Sequence, residues 1–572
     1  MILLKKIVKK IDKILCGPND KIKNVLEKMG SFKPSDFDLP AGIVLVVDSK
    51  NKVLGIATDG DIRRALSRGL DLNGPISDAM NKDPFLVELT DDKKEILSQV
   101  SNKIREKHWH KDRLNKIVVV DKNRCPVDVF YFYDLWQKSD VRFKQIGVVG
   151  LGYVGLTLAL TLADLGFKVK GYDTNINVIK KLNLGEPHFF EKGLKEILNN
   201  NIDKNFQAVN NFLGVNNSDI YFIAVGTPLG KNGKPSLDHL KSASETIGRV
   251  LKNGDTVILR STVPVGTTRD FVVPVLEKFS GLKSGEDFFV AFAPERTVEG
   301  KALEELKKLP QVIGGLNWAS ADITASIFNH LTHSIVLVDS LEEAEMVKLV
   351  NNTYRDVVFS FANELSLVCN RLGINTRRVI EAANNGYERS SVPMPSPGVG
   401  GVCLEKDPLI FVESAKRKKY QPLLARDSRK ISDLMIDFVA NEIINFIKNK
   451  KDSKVFVMGL AFKGRPVTSD VRGSTSIKLI EKIKNKAGSI YVYDPAVNLD
   501  EVKKVGIKMV NPSEGFKKAD VVVVMNNNLD FEKLDIKKLL KTSNNPVFVF
   551  DTWAIFGQND LNKLEGVIYK NL

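Results

Sequence analysis

The segment GVGGVCLEKDP, Gly398 to Pro408, places glycines before a cysteine and a lysine–aspartate pair just after it. Glycines let backbone come close to a ligand. A nearby cation lowers a thiol's pKa, and a carboxylate can hold water or move protons. Cys403 with Lys406 and Asp407 therefore fits a nucleophilic thiol; a turn that buries an incidental cysteine fits the same letters. Upstream, Lys348 and Asn352 stand one helical turn apart in SLEEAEMVKLVNNTYRDVVFSFANELSLVCNRLG and share a face. A third pattern, KQIGVVGLGYVGLTLALTLADLGFKVKGYD, reads strand, Gly150-x-Gly152-x-x-Gly155, apolar-striped helix, second strand, Asp173. In that setting the glycines make a tight turn, admit a pyrophosphate and let helix pack on strand. Asp173 is placed for ribose hydroxyls, which favours NAD over NADP. The alternative is a glycine-rich turn with no cofactor.

These residues need elements to position them. SDIYFIAVGTP and GDTVILRSTVPVGTT are apolar strands ending in Thr227 and in Ser261 and Thr262; FFVAFAPERTVEG puts Glu295 and Glu299 just past a strand. In open α/β sheets ligands bind at the carboxyl ends of strands. From about Asp339 to Lys448 the spacing predicts helices, one of them over thirty residues long and suited to an interface between subunits. Cys369 falls in its apolar stripe and reads as a packed thiol. From about Ser453, SKVFVMGLAFKG, SIYVYDPAV, ADVVVVMNNN and PVFVFDTW predict a second α/β layer without the glycine fingerprint. Two nucleotide-binding folds around a helical spacer and a cysteine loop suggest a dehydrogenase with two nucleotide ligands.

The first section has its own pattern. GIVLVVDSKNKVLGIATDGDIRRALSRG reads strand, turn, strand, helix, with Thr58 and Asp61 at the helix start. That pair makes a good cap, and also suits a phosphate and a ribose. NKIVVVDKNRCPVDVFYFYDLW repeats the plan as far as Asp134. The start, MILLKKIVKKIDKIL, reads as a basic amphipathic first helix, with membrane-surface binding as the alternative.

The 572 residues exceed one core, and 43% hydrophobic with 27% charged residues is a globular composition. No apolar run reaches membrane-spanning length. Four dispersed cysteines indicate neither zinc site nor disulfide framework, so no metal is expected and a reducing cytoplasm fits. The net charge of +15 is scattered along helical faces, which fits nucleotide phosphates better than nucleic acid.

GLGYVGL, VGTP, STVPVGTT, PERTVEG, EAEMVKLVNNTYRDV, GVGGVCLEKDP, GLAFKGRPVTSDVRGS and YDP, in this order, resemble the nucleotide-sugar 6-dehydrogenases that oxidise UDP-glucose, GDP-mannose or UDP-N-acetylhexosamines. GIATDGDIRRAL and ISDAMNKDPFLV resemble a CBS-domain pair, although VDVFYFYD lacks the Gly and Thr/Ser of the second motif. The resemblance implies an α/β protein with two Rossmann-like domains joined by a central helical dimerisation region. It gives a CBS-like regulatory module over 1–140, an NAD-binding domain over 144–338, a helical domain with the cysteine loop over 339–450 and a UDP-sugar-binding domain over 451–572. It also implies a four-electron oxidation of a sugar CH2OH to carboxylate with two NAD+, through a thiohemiacetal and a thioester on Cys403.

The same resemblance assigns roles. Lys348 would stabilise oxyanions, with Asn352 assisting. Asp407 and Thr262 would hold the water used in proton transfer and hydrolysis, with Glu299 near it and Glu295 beside the nicotinamide. Gly150, Gly152, Gly155, Asp173, Thr227 and Thr262 would bind NAD, and Lys406 and Arg472 its phosphates. Gly400 and Gly401 would admit the sugar, and Arg389 would reach the uridine nucleotide of a neighbouring subunit in a homodimer or larger assembly. Thr58 and Asp61 would take an adenine nucleotide. The expected setting is cytoplasmic synthesis of polysaccharide or cell-envelope precursors. Glu405 replaces the proline of UDP-glucose enzymes, and Val402 the histidine of the UDP-N-acetylmannosamine group. NNTYRDVVFSFANELSLVC and PSPGVGGVC look like the N-acetylhexosamine group, whereas the lysine of LEKD is typical of UDP-glucose enzymes. The reading favours a UDP-N-acetylhexosamine (ManNAc or GlcNAc), with UDP-glucose or GDP-mannose as alternatives. A reading of another class is a nucleotide-binding regulatory protein with an inactive dehydrogenase body.

Overall fold

The computed structural model describes residues 11–30, 42–89, 116–131, 144–230, 233–332, 334–389, 391–498, 502, 506–557 and 561–572. They fall into two compact units, Met1–Phe143 and Lys144–Leu572.

The first unit holds two sheets of the same plan. Leu15–Cys16 pairs in parallel with Ile43–Val47, which pairs antiparallel with Val53–Thr58; Leu86–Glu88, Lys116–Val120 and Pro126–Tyr131 repeat this. The hairpins match turn for turn. Asp48 accepts from the amides of Lys50 and Lys52 at 2.9 and 2.8 Å, and Asp121 from those of Asn123 and Cys125 at 2.9 and 2.8 Å. Asn51 and Arg124 both take the left-handed conformation these turns need. Leu45, Ile56, Val118 and Val129 share one core. The expected twofold repeat is present; Asp134 lies outside the described residues. So does most of the expected first helix. Its described end is a 3-10 turn, Asp12–Ile14, followed by a strand, because Leu15 and Cys16 pair with Leu45 and Val46.

The second unit contains both expected α/β layers. Eight strands lie in the order Ile335–Val338, Gln311–Gly315, Phe289–Phe292, Thr256–Leu259, Ile220–Ile223, Gln145–Val149, Lys168–Tyr172, Phe206–Val209. All neighbours are parallel except Phe289–Phe292 with Gln311–Gly315. The chain leaves the central strand Gln145–Val149 toward one edge, then returns to its other side. This reversal creates a crevice at the strand's carboxyl end, where Gly150 sits. Six parallel strands form the other sheet, in the order Lys508–Met509, Ser489–Tyr493, Lys454–Met458, Val521–Val524, Val547–Asp551, Val567–Asn571. Near-continuous Val, Ile and Phe runs such as Val521–Val524 are buried along their length, as parallel strands covered on both faces require.

The helix Leu341–Leu372 links the two layers over 32 residues. Ser340 caps it by accepting from the Glu343 amide at 3.2 Å, and Gly373 ends it in the left-handed conformation. Its buried face mixes apolar residues (Leu341, Ala344, Leu349, Ala362 and the expected packed thiol Cys369) with a polar line. Glu345, Lys348, Asn352, Asp356, Ser360 and Asn363 follow one another at three- and four-residue steps, all buried. Another face exposes Val350, Tyr354, Phe361 and Val368. Val402–Lys416 and Leu423–Ile447 pack against this helix, the former carrying Cys403. No helix among the described residues is long and apolar enough to cross a membrane.

Candidate active site

The glycine loop is built for a close approach. Gly150 takes φ +94, and a Cβ there would lie 2.8 Å from the Ala224 carbonyl oxygen. A Cβ on Gly155 would meet the Gly150 carbonyl oxygen at 1.8 Å, so helix and strand close tightly. Gly152 has nothing within 4 Å, which leaves an open face at the start of the helix Tyr153–Asp164. Asp173 accepts from the Leu151 amide at 2.8 Å, putting its carboxylate at the rim of the loop. An open, glycine-lined helix start with an acid beside it fits a dinucleotide. The second layer repeats the device: Asp494 accepts from the amides of Leu460 and Ala461 at 2.8 and 2.9 Å.

The cysteine loop is tied to the second layer. Gly401 donates to the Gly473 carbonyl at 3.0 Å. Gly401 takes φ +93, and a Cβ on it would lie 2.7 Å from the Phe462 ring. A Cβ on Gly400 would lie 2.7 Å from the Gly473 oxygen, so both glycines serve packing as well as access. Cys403 opens the next helix with an accessible thiol. Protein still surrounds it closely enough that desolvation is the largest influence on its pKa and pushes it up. Lys348 and Lys406 pull it down, and Asp407 and Glu299 push it up.

Five of the expected residues interlock. The buried Asp407 accepts from the Asn352 side-chain amide at 2.6 Å, and Lys406 Nζ lies 2.9 Å from its other oxygen. Lys406 also reaches Thr227 Oγ1 at 3.5 Å, and Thr227 donates to the Thr262 carbonyl at 2.6 Å. Lys348, buried, acts electrostatically on both Cys403 and Glu295. Glu295 forms a buried ion pair with Arg260. Desolvation alone would raise its pKa, but Arg260, the Thr297 amide and Lys348 together hold it below the ordinary value. Glu299 goes the other way: burial and Asp470 raise it, against Lys463, Arg472 and the Thr468 hydroxyl. Arg472 itself is bound to Asp470 at 2.6 Å.

Arg389 stands outside this cluster. It is exposed and stacks over Tyr387 at 5.0 Å. In the first unit, Thr58 and Asp61 form a reciprocal cap: the Asp61 amide donates to Thr58 Oγ1 at 3.2 Å, and the Thr58 amide and hydroxyl donate to Asp61 at 3.0 and 2.7 Å. The pair thus caps the helix Asp59–Ser67.

Profiles of known families fit this arrangement. The UDP-glucose/GDP-mannose dehydrogenase family matches in three successive parts: its NAD binding domain over residues 144–332, its central domain over 342–433 and its UDP binding domain over 456–558. The chain belongs to the UDP-glucose/GDP-mannose dehydrogenase family. A CBS domain matches residues 6–68. Among relatives of this dehydrogenase, the UDP-N-acetyl-D-mannosamine dehydrogenase of Pyrococcus horikoshii is 34% identical over 415 residues, 71% of this chain and 94% of that protein. The solved UDP-D-ManNAc dehydrogenase from the same organism superposes with TM-score 0.68 at 31% identity, covering 75% of this chain and 98% of the other. A UDP-glucose dehydrogenase from Pyrobaculum islandicum gives TM-score 0.67 at 28% identity, over 75% and 97%. The chain is thus an NAD-dependent nucleotide-sugar dehydrogenase with an N-terminal CBS domain.

The dehydrogenase also uses residues that sequence reading passed over. Arg260 interrupts the apolar run TVILRS and pairs with Glu295. Glu191 binds Tyr153 and accepts from the amides of Gly300 and Ala302 at 2.7 and 3.0 Å, pinning the loop that carries Glu299. Lys463 donates to the Glu299 carbonyl at 2.8 Å. Glu345 accepts from the amides of Gly266 and Thr268 at 2.6 and 2.8 Å and fixes the loop after Thr262. A charge within an apolar run was the available signal for Arg260. Glu345 stands three residues before Lys348 on the same helical face, which was the signal there.

Proposed function

We propose that the protein oxidises C6 of a UDP-N-acetylhexosamine, in the ManNAc or GlcNAc configuration, to the carboxylate. The observation that carries this reading is the bonded set Asn352, Asp407 and Lys406, together with the Lys348 charge, around an accessible Cys403 at the meeting of two nucleotide-binding layers. The similarity to enzymes named for UDP-N-acetyl-D-mannosamine favours the N-acetyl sugar. The fold match to a UDP-glucose enzyme keeps glucose as the second reading.

NAD+ supplies the hydride acceptor, one molecule for each two-electron oxidation. Cys403 sulfur adds to the C6 aldehyde, and the Lys348 ammonium stabilises the oxyanion that forms. The second oxidation leaves a thioester on Cys403. Water held by Asp407 and Thr262 attacks it, the carbon–sulfur bond breaks, and the Cys403 thiol and the sugar carboxylate are freed. Asn352 and Lys406 each hold one oxygen of Asp407 and so fix the orientation of that carboxylate. Glu299, Thr262 and Glu295 complete the water and nicotinamide side. The glycine loop, Asp173, Thr227, Lys406 and Arg472 hold the dinucleotide, and Gly400, Gly401 and Arg389 serve the sugar nucleotide. On this reading residues 144–338, 339–450 and 451–572 are the NAD, helical and UDP-sugar domains, the protein works as a homodimer or larger assembly, and it feeds polysaccharide synthesis. The 1–140 module senses an adenine nucleotide at Thr58 and Asp61, which would have to compete with their reciprocal cap; isothermal calorimetry with AMP and ATP tests this, and no heat with either rejects it.

Absorbance at the NADH band with UDP-ManNAc, UDP-GlcNAc, UDP-glucose and GDP-mannose in parallel tests the main reading. Two NADH per sugar with an N-acetyl substrate is expected. Turnover confined to UDP-glucose or GDP-mannose would replace the sugar assignment. Silence with all four, with NAD binding intact, would favour the regulatory reading.

A further inference from the structure

The helix that carries Cys403 contains a defect one turn below it. Pro408 lies inside Val402–Lys416. In an α-helix the Leu404 carbonyl takes its bond from the amide four residues on, and at 408 that amide has no hydrogen. The carbonyl adjoining the nucleophile thus loses its helical donor. Arg429, from the neighbouring helix Leu423–Ile447, donates Nη1 to the Leu404 oxygen at 3.1 Å. Its Nη2 lies 2.8 Å from Asp356 Oδ1, and the Arg429 and Asp356 side chains are 13% and 0% exposed. Asp356 is held in turn by the Ser428 hydroxyl at 2.7 Å and sits one turn beyond Asn352 on the long helix.

We propose that Arg429, anchored by Asp356, is a positioning residue that replaces the hydrogen bond Pro408 removes and so fixes the turn presenting Cys403. The latch connects the Cys403 turn to the helix of Lys348 and Asn352, and so holds nucleophile and oxyanion cation in one frame. The proposal rests on Cys403 being the nucleophile, but its structural half stands apart from any substrate.

The logic allows a rescue. Asp356→Asn with Arg429→Leu removes the latch without leaving a lone buried charge; adding Pro408→Ala returns an amide hydrogen to the Leu404 carbonyl. Steady-state turnover and hydrogen exchange of the 402–407 amides are measured for both. The double variant should lose about tenfold or more in kcat, with sugar KM changed less than about threefold, and exchange faster at 402–407. The triple variant should recover most of kcat and slow exchange again. Wild-type kcat and exchange in the double variant would overturn the proposal, as would a triple variant no better than the double. Should the double variant not fold, the stability cost of Arg429→Leu is compared with and without Pro408→Ala: a smaller cost with it supports the latch, an equal cost overturns it. Should wild type turn over no sugar, the nucleophile reading falls, while exchange at 402–407 still decides the latch.

Discussion

Cys403 carries opposing influences: burial pushes its thiol up, and the Lys348 ammonium is the largest force pulling it down. Removing that ammonium should leave the thiol harder to ionise. Lys348→Met is therefore expected to move the pH profile of Cys403 alkylation by iodoacetamide to higher pH, and to lower kcat by about a hundredfold or more through loss of oxyanion stabilisation. An unmoved alkylation profile would separate Lys348 from the thiol. Cys403→Ser should abolish NADH formation with NAD binding retained, read by turnover and by calorimetry with NAD+. Much of this scale was legible in sequence because motifs such as Gly150-x-Gly152-x-x-Gly155 and CLEKDP encode contacts a few residues apart. The Asn352–Asp407 bond was not. It joins residues 55 positions apart, and no local spacing records such a pairing.

The long helix works as a rack of polar hooks, each taken by a different element. Glu345 holds the loop at Gly266 and Thr268, Asn352 holds Asp407, Ser360 donates to the Ser428 carbonyl at 2.9 Å, and Asn363 accepts from the Ser396 amide at 2.8 Å. Asn363→Ala would strand the buried Ser396 amide and should cost about 1–3 kcal/mol in denaturant unfolding. Burial, the largest influence, raises Glu345 from an ordinary 4.5 to about 7, despite hydrogen bonds from Thr268 and Gly266. Such a carboxyl binds its proton more tightly folded than unfolded. Its contribution to stability is full below about 4.5 and fades as pH rises to about 7. Thermal melts of wild type and Glu345→Gln should therefore differ in slope across that window, wild type losing ground as pH rises; parallel curves would contradict the assignment. Helical periodicity announced this helix, but an amphipathic reading expects an apolar inner face. The inner face carries a polar line among its apolar residues because it positions loops as well as packing a core.

At the scale of the molecule, the homodimer proposed above predicts the exposed apolar stripe Val350, Tyr354, Phe361 and Val368 as its contact surface. Light scattering of Tyr354→Glu with Phe361→Glu should report the mass of one chain where wild type reports at least two; an unchanged mass would move the interface elsewhere. The order of layers was readable because strands and helices alternate with clear periods, whereas the ties between layers were not, since they run through single side chains remote in sequence. The cysteine helix shows what those ties mean. Its first turn is fastened to the second layer through Gly401 and Gly473, while Lys406 reaches Thr227 and Ser414 accepts from the Val265 amide at 3.0 Å, both in the first layer. The cysteine helix therefore straddles both layers, and any movement of one layer relative to the other would either break one set of these bonds or carry Cys403 with it.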